Sequence, residues 1–512
     1  MLKAISSILF FYCVLFFNVC LFAQAPGKKP NIVIIISDDH AYQSIGAYGA
    51  PYTLTPQIDK LANEGVVFTN ACVGNSICGP SRATLLTGKF SHKNGFKDNQ
   101  DHFDGSQDLF VKRLQAAGYQ TAWIGKWHLE TTPQGFNFWE ILPGQGQYYN
   151  PDFLTMDGGK TKLIGYVSNL ITDLSENWLS KRDTSKPFCL IVGHKATHRV
   201  WIPDLVDLGA LDNTMFPLPE NFYDRYENRY AAAHQDLNIA HTMRPGYDLK
   251  VFPDTGFGKF VYTGMNKMQR EKFDEYYKPI EQDFIQRNLS GNALTEWKFQ
   301  RYMHDYLSTA ISLDRNIGRL VAYLDSCGLK DNTMVMYSSD QGFYLGEHGF
   351  FDKRFMYEES FKTPLVIRYP PLVQPGTANK ELVENIDFAP TFLELAGVQI
   401  PEAIQGKSLL SLFNKNNKQP WRKQAYYHYY EWGEHSVIPH FGIKTKRYKL
   451  IRFYQVHDSW ELYDLLHDKG ENKNLYGKKG YLKIARNLKK QLWNTIMLYD
   501  DNEAAEIFHK EF

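Results

Sequence analysis

Four stretches of the chain are continuous apolar runs rather than alternating ones: Asn31 to Ser37, Gln120 to Ile124, Phe188 to Val192 and Thr333 to Ser338. A strand with no polar face is what a parallel sheet covered on both sides requires. Helical signals lie between these runs, at Thr55 to Gly65, at Pro80 to Thr87 and at Trp297 to Leu324. In the last, Tyr306, Ala310, Leu313, Ile317, Leu320 and Leu324 recur in steps of four, three, four, three and four residues, which puts them on one helix face. Gly328 closes that helix. Strands alternating with helices predict an α/β domain, with a largely parallel sheet and helices on both faces.

Two regions depart from this pattern. From about Pro203 to Arg287 the chain is aromatic, charged and rich in turn residues, with little periodicity, and reads as an elaborated insertion on the α/β domain. Asn414 to Pro420 reads as a polar boundary. Beyond it, Gln424 to Tyr430, Phe441 to Ile443 and Tyr448 to Tyr454 read as short strands and Tyr481 to Leu498 as a final helix. The expected domains are therefore 26–415 and a small α+β unit at 416–512. Residues 1–25 read as an export signal: Lys3, then an apolar run from Ile8 to Phe22, then Ala23-Gln24-Ala25 as a cleavage region. Two alternatives for this segment are a retained anchor and lipidation at Cys20.

Composition narrows the function. The 512 residues carry 57 Lys and Arg against 56 Asp and Glu, so no global charge serves a nucleic acid or a membrane surface. An anionic ligand must be met locally. A mean hydropathy of −0.41 excludes a multispan membrane protein, and no stable membrane insertion is expected. Outside the leader only Cys72, Cys78, Cys189 and Cys327 remain, which is neither a disulfide framework nor a CxxC zinc site.

The most informative segment is Cys78-Gly79-Pro80-Ser81-Arg82, followed by Leu85-Leu86-Thr87-Gly88. Pro80 and the apolar run behind it put Cys78 at a helix N-terminus, where free N–H groups favour an anion, and Arg82 one turn in can face the same anion. Taken alone, the segment reads more simply as a helix start with a buried cysteine. Asp38-Asp39 and Asp340-Gln341 each follow an apolar strand. They bring oxygen-bearing side chains to strand ends, where α/β folds gather ligands, and oxygen donors suit a hard cation. Gly125-Lys126-Trp127-His128 and His194-Lys195-Ala196-Thr197-His198 also follow strands.

Cys-Gly-Pro-Ser-Arg with Leu-Leu-Thr-Gly resembles the signature of the type I sulfatases, and the resemblance runs from Asn31 through Leu475. It implies an alkaline-phosphatase-like fold. It also implies that a formylglycine-generating enzyme oxidises Cys78 to formylglycine, whose hydrate is the nucleophile. Asp38, Asp39, Asp340 and Gln341, with the residue formed from Cys78, would hold one Ca²⁺; Gln341 stands where many members carry Asn or His. Arg82, Lys126 and Lys353 would stabilise the sulfo group, His128 would act as base, and His198 as acid for the leaving group. Thr197 replaces the Pro usual before that histidine, and His194 is expected either behind these groups or apart from them. Asp352 and Arg354 flank Lys353 and are candidate sugar contacts, as are His435 and His440. The segments around Trp127-His128, Ile141 to Pro151 and Asp352 to Arg354 are similar to bacterial carbohydrate sulfatases of the branch acting on 6-O-sulfated N-acetylglucosamine in glycosaminoglycans or mucin. The expected protein is exported, periplasmic or secreted, and its partner is a sulfated saccharide. The competing readings are a phosphonate monoester or phosphodiester hydrolase of the same superfamily and an inactive glycan-binding relative.

Overall fold

The computed structural model describes residues 28–51, 54–414 and 420–510. The leader, with Cys13 and Cys20, and the expected boundary at 415/416 lie outside them. The main body is a ten-stranded sheet. Its five middle strands, Thr333–Ser339, Asn31–Ser37, Phe188–Gly193, Gln120–Lys126 and Phe138–Leu142, run parallel to one another in that order. Leu365–Arg368 on one side and Asp152–Thr155 on the other join antiparallel, so the sheet is parallel in its centre and mixed at its flanks.

The four apolar runs occupy the middle, as their lack of alternation demands. Ile32, Ile34 and Ile36 pack into one layer with Leu85, Leu86 and Phe110, while Val33 and Ile35 pack into the opposite layer with Leu313, Ile317 and Leu320. Each such side chain contributes roughly 1.5–3 kcal/mol by leaving water. A charge at Ile34, which is fully buried, would disrupt both the strand and the floor of the site described below. The long helix is Gly291–Ser326, and its predicted stripe is the buried face.

The segment read as an insertion with little periodicity contains a 21-residue helix, Lys267–Arg287. Only Gln269, Phe273 and Tyr277 are buried on it, a stripe too narrow to show as periodicity. Its start does carry a local signal, a capping box between Asn266 and Gln269.

The C-terminal unit is an antiparallel sheet of Gln424–Tyr429, His440–Thr445, Tyr448–Phe453 and Ser459–Asp464. Tyr427, Tyr429, Ile451 and Tyr463 pack against Phe355, Met356 and Tyr357 of the main domain. Tyr426, Ile443, Leu450 and Leu462 face the other way, onto the helix Leu482–Tyr499. Among the described residues no helix is long and apolar enough to cross a membrane.

Candidate active site

Strand register assembles the site. Ser37 pairs with Ser339, so Asp38 and Asp340 leave the sheet side by side. Gly125 pairs with Gly193, so Lys126 emerges beside His194. A side chain at Gly125 (φ 97°) would meet the Gly193 carbonyl oxygen at 2.1 Å, and only glycine lets these two strand ends close. Asp39, His128, Asp352 and Arg354 all have positive φ, at 63°, 55°, 73° and 98°. Non-glycine residues held there cost about 1–3 kcal/mol each, a cost that clusters at functional sites.

Cys78 is the first residue of a helix, Cys78–Thr87, in which all ten residues are buried. Its Sγ lies 3.6 Å from Lys353 Nζ. Burial pushes the thiol up to about 12 against the pull of Lys126 and Lys353, so an unmodified Cys78 is a neutral thiol and a poor nucleophile. Arg82 donates through Nε and Nη2 to Asp340 Oδ2 at 3.1 and 2.8 Å and through Nη1 to the Lys126 carbonyl at 2.9 Å. It ties two strand ends together as well as placing a positive charge in the site.

Asp38, Asp39 and Asp340 offer carboxylate oxygens within 4.8 Å of one another. Lys126 Nζ donates to Asp38, and Lys353 Nζ donates to both oxygens of Asp39 at 2.6 and 2.7 Å. The Gln341 amide nitrogen also donates to Asp39. Two buried oxygens, Asp38 Oδ1 and Gln341 Oε1, have no hydrogen-bond partner among the described residues. Burial pushes Asp39 up to about 7, opposed by Lys353 and reinforced by Asp38 and Asp340; burial and then Asp38 also raise Asp340. Three crowded carboxylates and an amide, with two of their oxygens unpaired, fit a hard divalent cation. The longer arm of Gln341 still brings its amide to this buried cluster, with the nitrogen on Asp39.

The imidazoles line the same space. His198 Nδ1 lies 2.6 Å from the Arg199 carbonyl, which fixes its proton there and leaves Nε2 at 3.9 Å from Asp39 Oδ2. Burial holds the His198 pKa well below the usual imidazole range, against the pull of Asp38. Thr197 ties this loop to the carboxylates: its N–H donates to the Asp38 carbonyl at 2.7 Å and its Oγ1 to the Asp39 carbonyl at 2.8 Å. His128 Nε2 lies 3.0 Å from Gln145 Nε2, and Lys126 Nζ lies 2.6 Å from Gln145 Oε1. An ammonium only donates, so the Gln145 NH₂ must face the imidazole, and the unprotonated nitrogen of His128 is Nε2. Burial, then Lys126, pushes His128 down to about 2. His194 is buried and neutral, its pKa pushed down to about 3 by burial, and neither ring nitrogen has a partner among the described residues.

On the side toward the C-terminal unit, Asp352 Oδ2 lies 3.4 Å from His435 Nε2 and Arg354 Nε lies 3.9 Å from Asp352 Oδ1. Arg354 is ion-paired with Glu431 and lies 3.3 Å from the Tyr429 hydroxyl. Its Nε has no hydrogen-bond partner among the described residues. His440 is not part of this group. It is fully buried, it sits among Phe355, Tyr427 and Phe453, its Nε2 accepts from the Met356 N–H at 3.0 Å and its Nδ1 lies 2.8 Å from the Ile438 carbonyl. With both nitrogens engaged it has none for a sugar, which corrects the expectation from sequence.

Four residues escaped the sequence reading. Gln145 bridges Lys126 and His128; Lys195, pushed down to about 7 by burial and by Lys126, donates to the Gln145 carbonyl at 3.0 Å. Glu431 holds Arg354, and the half-exposed Glu434 lies 3.6 Å from His435 Nε2. The signal for Gln145 was its place between two glycines just past a strand; the two glutamates are brought in only by docking of the C-terminal unit.

The fold and this site define a sulfatase. The chain belongs to the sulfatase family: residues 30–398 match the Sulfatase family model, and residues 346–497 match the model described as N-sulphoglucosamine sulphohydrolase, C-terminal. It is a sulfuric ester hydrolase with the alkaline-phosphatase-like fold. Over 493 residues it is 48% identical to an N-acetylglucosamine-6-O-sulfatase of Bacteroides thetaiotaomicron, covering 94% of this chain and 88% of that one. A solved structure in complex with its substrate D-glucosamine-2-N,6-O-disulfate superposes with a TM-score of 0.90 at 47% identity, covering 93% of this chain and 99% of that one. A phosphonate monoester hydrolase from Silicibacter pomeroyi shares the fold alone, with a TM-score of 0.69 at 20% identity over 91% of this chain and 95% of its own.

Proposed function

We propose that this sulfatase removes the 6-O-sulfate of N-acetylglucosamine or glucosamine units in glycosaminoglycan or mucin glycans, after export. Two things support the substrate class. One is the near full-length similarity to relatives named for 6-O-sulfated glucosamine. The other is the group formed by Asp352, Arg354 and His435, whose charged hydrogen-bonding atoms suit the hydroxyls of a bound sugar. The relative bound to a 2-N,6-O-disulfate makes N-sulfated glucosamine the second sugar to test.

Oxidised to formylglycine, Cys78 would supply a hydrated aldehyde oxygen as the nucleophile at sulfur. Its place at a helix start beside Lys353 fits that role, and its neutral thiol does not fit direct thiolate attack. A Ca²⁺ ion held by Asp38, Asp39, Asp340 and Gln341 would supply positive charge toward the sulfate oxygens. It would also engage the two unpaired oxygens, Asp38 Oδ1 and Gln341 Oε1. The chain's own Arg82, Lys126 and Lys353 surround the same space and stabilise charge on the transferring group. His198 presents Nε2 to the site and donates a proton to the departing sugar oxygen. The negative charge of the bound ester offsets the burial that disfavours its protonated form. For His128 to act as base, the lone pair is at Nε2, and an incoming hydroxyl takes the place of the Gln145 amide.

The single observation that carries this reading is the convergence of Cys78, three cations and a carboxylate group with unpaired oxygens at the ends of the central strands. Sulfate release is to be measured on a panel of 2-O-, 3-O-, 4-O-, 6-O- and N-sulfated saccharides. The 6-O-sulfated glucosamines should be turned over fastest. Preference for another position would replace the proposed substrate, and faster cleavage of phosphate diesters or phosphonate monoesters than of any sulfate would replace the proposed reaction.

A further inference from the structure

The chain is electrically balanced as a whole, but one part of it is not. From Asn472 to Tyr499 there is no acidic residue, while Lys473, Lys478, Lys479, Lys483, Arg486, Lys489 and Lys490 supply seven cations. Lys483, Arg486 and Lys490 are three and four residues apart on the helix Leu482–Tyr499, so they share one exposed face. None of the three has an acidic partner among the described residues, although surface lysines and arginines elsewhere on the protein commonly do.

The space beside these cations is built rather than flat. A cavity of about 620 Å³ is lined by Lys483, Arg486 and Lys490 together with Thr445, Tyr448 and Gln491. A second, of about 470 Å³, shares Arg486 and Lys490 and adds Trp493 and His509. Neither is lined by a carboxylate. Each therefore joins unpaired cations, which bind sulfate oxygens, to an aromatic ring and hydrogen-bonding side chains that can meet a sugar ring. The helix covers the sheet face made by Tyr426, Ile443 and Leu450, while the opposite face docks on the main domain. The groove is thus separated from the catalytic residues by the whole C-terminal sheet.

We propose that this groove is a second binding site for sulfated saccharide chains, one that holds the polymer on the enzyme while its sulfates are removed elsewhere. The choice of ligand rests on the sulfatase reading: a chain that presents one sulfate ester to the active site carries others, and such a ligand matches both the cations and the aromatic walls. Holding one segment raises the effective concentration of the next near the enzyme.

The test uses the full-length protein and a heparin-derived decasaccharide as the probe, followed by calorimetric titration at fixed salt. Lys483→Glu/Arg486→Glu/Lys490→Glu should weaken binding by about tenfold or more, because three phosphate-like ionic contacts are lost and reversed. The milder Lys483→Gln/Arg486→Gln/Lys490→Gln, which adds no repulsion, should weaken it in the same direction. A control reversal of Lys267, Lys272 and Lys278, on the helix Lys267–Arg287, should change it less than twofold. Turnover of monosaccharide 6-sulfate should stay as in the wild type, while the KM for the polymer rises. Unchanged affinity in both triple variants, equal loss in the control, or tighter wild-type binding to a single-stranded RNA of matching charge would each overturn the proposal. Failure of the wild type to hydrolyse any 6-O-sulfated sugar would instead strike the proposed substrate and leave the binding result to stand by itself.

Discussion

Two buried acidic groups in this protein behave differently. Glu384 and Asp387 surround Arg422, and every carboxylate oxygen there has a donor: Arg422 to both residues, the Tyr426 N–H at 2.9 Å, the Lys407 N–H at 2.8 Å and the Glu384 N–H at 2.9 Å. In the group of Asp38, Asp39 and Asp340, Asp38 Oδ1 and the neighbouring Gln341 Oε1 have none. The first group is completed by the chain itself and serves the fold. The second has acceptors left over, and buried acceptors without donors are costly unless a bound group engages them. Burial alone therefore does not mark a functional carboxylate, and neither does one unpaired oxygen, since Glu359 Oε2 and Glu461 Oε1 also lack a donor among the described residues; what sets the Asp38 group apart is an unpaired oxygen inside a cluster of three carboxylates.

The strongest test of this contrast is to remove the proposed cation. Chelation, or Asp39→Ala, should abolish sulfate release, and Ca²⁺ should restore the chelated wild type but not the variant. In the wild type, Ca²⁺ at about 100 times its Kd should add about 2.7 kcal/mol of stability, read as a rise in Tm. Full activity of metal-free protein would show that the unpaired oxygens have another purpose.

Next in size is His198→Ala. A sugar alkoxide needs a proton as it leaves and 4-nitrophenolate does not, so the variant should lose ~10²–10⁴-fold on the sugar sulfate and far less on 4-nitrophenyl sulfate. Equal losses on both esters would remove the acid role. Arg422→Ala should act in the opposite manner, lowering stability by ~3–5 kcal/mol because two carboxylates lose their buried partner, with kcat per folded molecule unchanged. A catalytic defect in folded Arg422→Ala would dissolve the distinction between the two groups.

The smallest effect concerns a third buried carboxylate. Asp314 accepts from the N–H groups of Gln57 and Ile58 at 3.0 and 2.8 Å, and burial pushes it up to about 7 in spite of those bonds. Its unfolded value is about 3.9. A raised pKa means the folded state binds the proton more tightly, so this contribution is full below about pH 4 and is lost as pH rises through about 7. The urea midpoint of the wild type relative to Asp314→Asn should fall across that window, and a parallel pair of curves would show that Asp314 keeps an ordinary pKa.

How far the sequence reached follows the same physics. The central strands were legible because burial on both faces leaves no polar position, and Asp38, Lys126 and Asp340 could be put at strand ends because each comes just after an apolar run; the register that brings them together exists only in the sheet. The helix Lys267–Arg287 was not, since it buries so few side chains that packing leaves almost no pattern. Gln145 and Glu434 were missed because loops bring them in from outside the motif, and His440 was overread because a histidine at a strand start looks the same whether its ring faces a ligand or the core. The motif around Cys78 was readable at the level of residues, but the second oxygen-rich feature, the pair of unpaired acceptors, exists only in three dimensions.

The central claim is that Cys78, once oxidised, is the nucleophile beside the unfilled carboxylate group. Peptide mass analysis of the Cys78 segment, made on the same preparations whose sulfate release is measured, tests it most directly. Production with and without a formylglycine-generating enzyme should give turnover in proportion to the fraction of Cys78 found as the aldehyde, and none where Cys78 is wholly thiol. A fully active preparation in which Cys78 is intact as a thiol would contradict the claim.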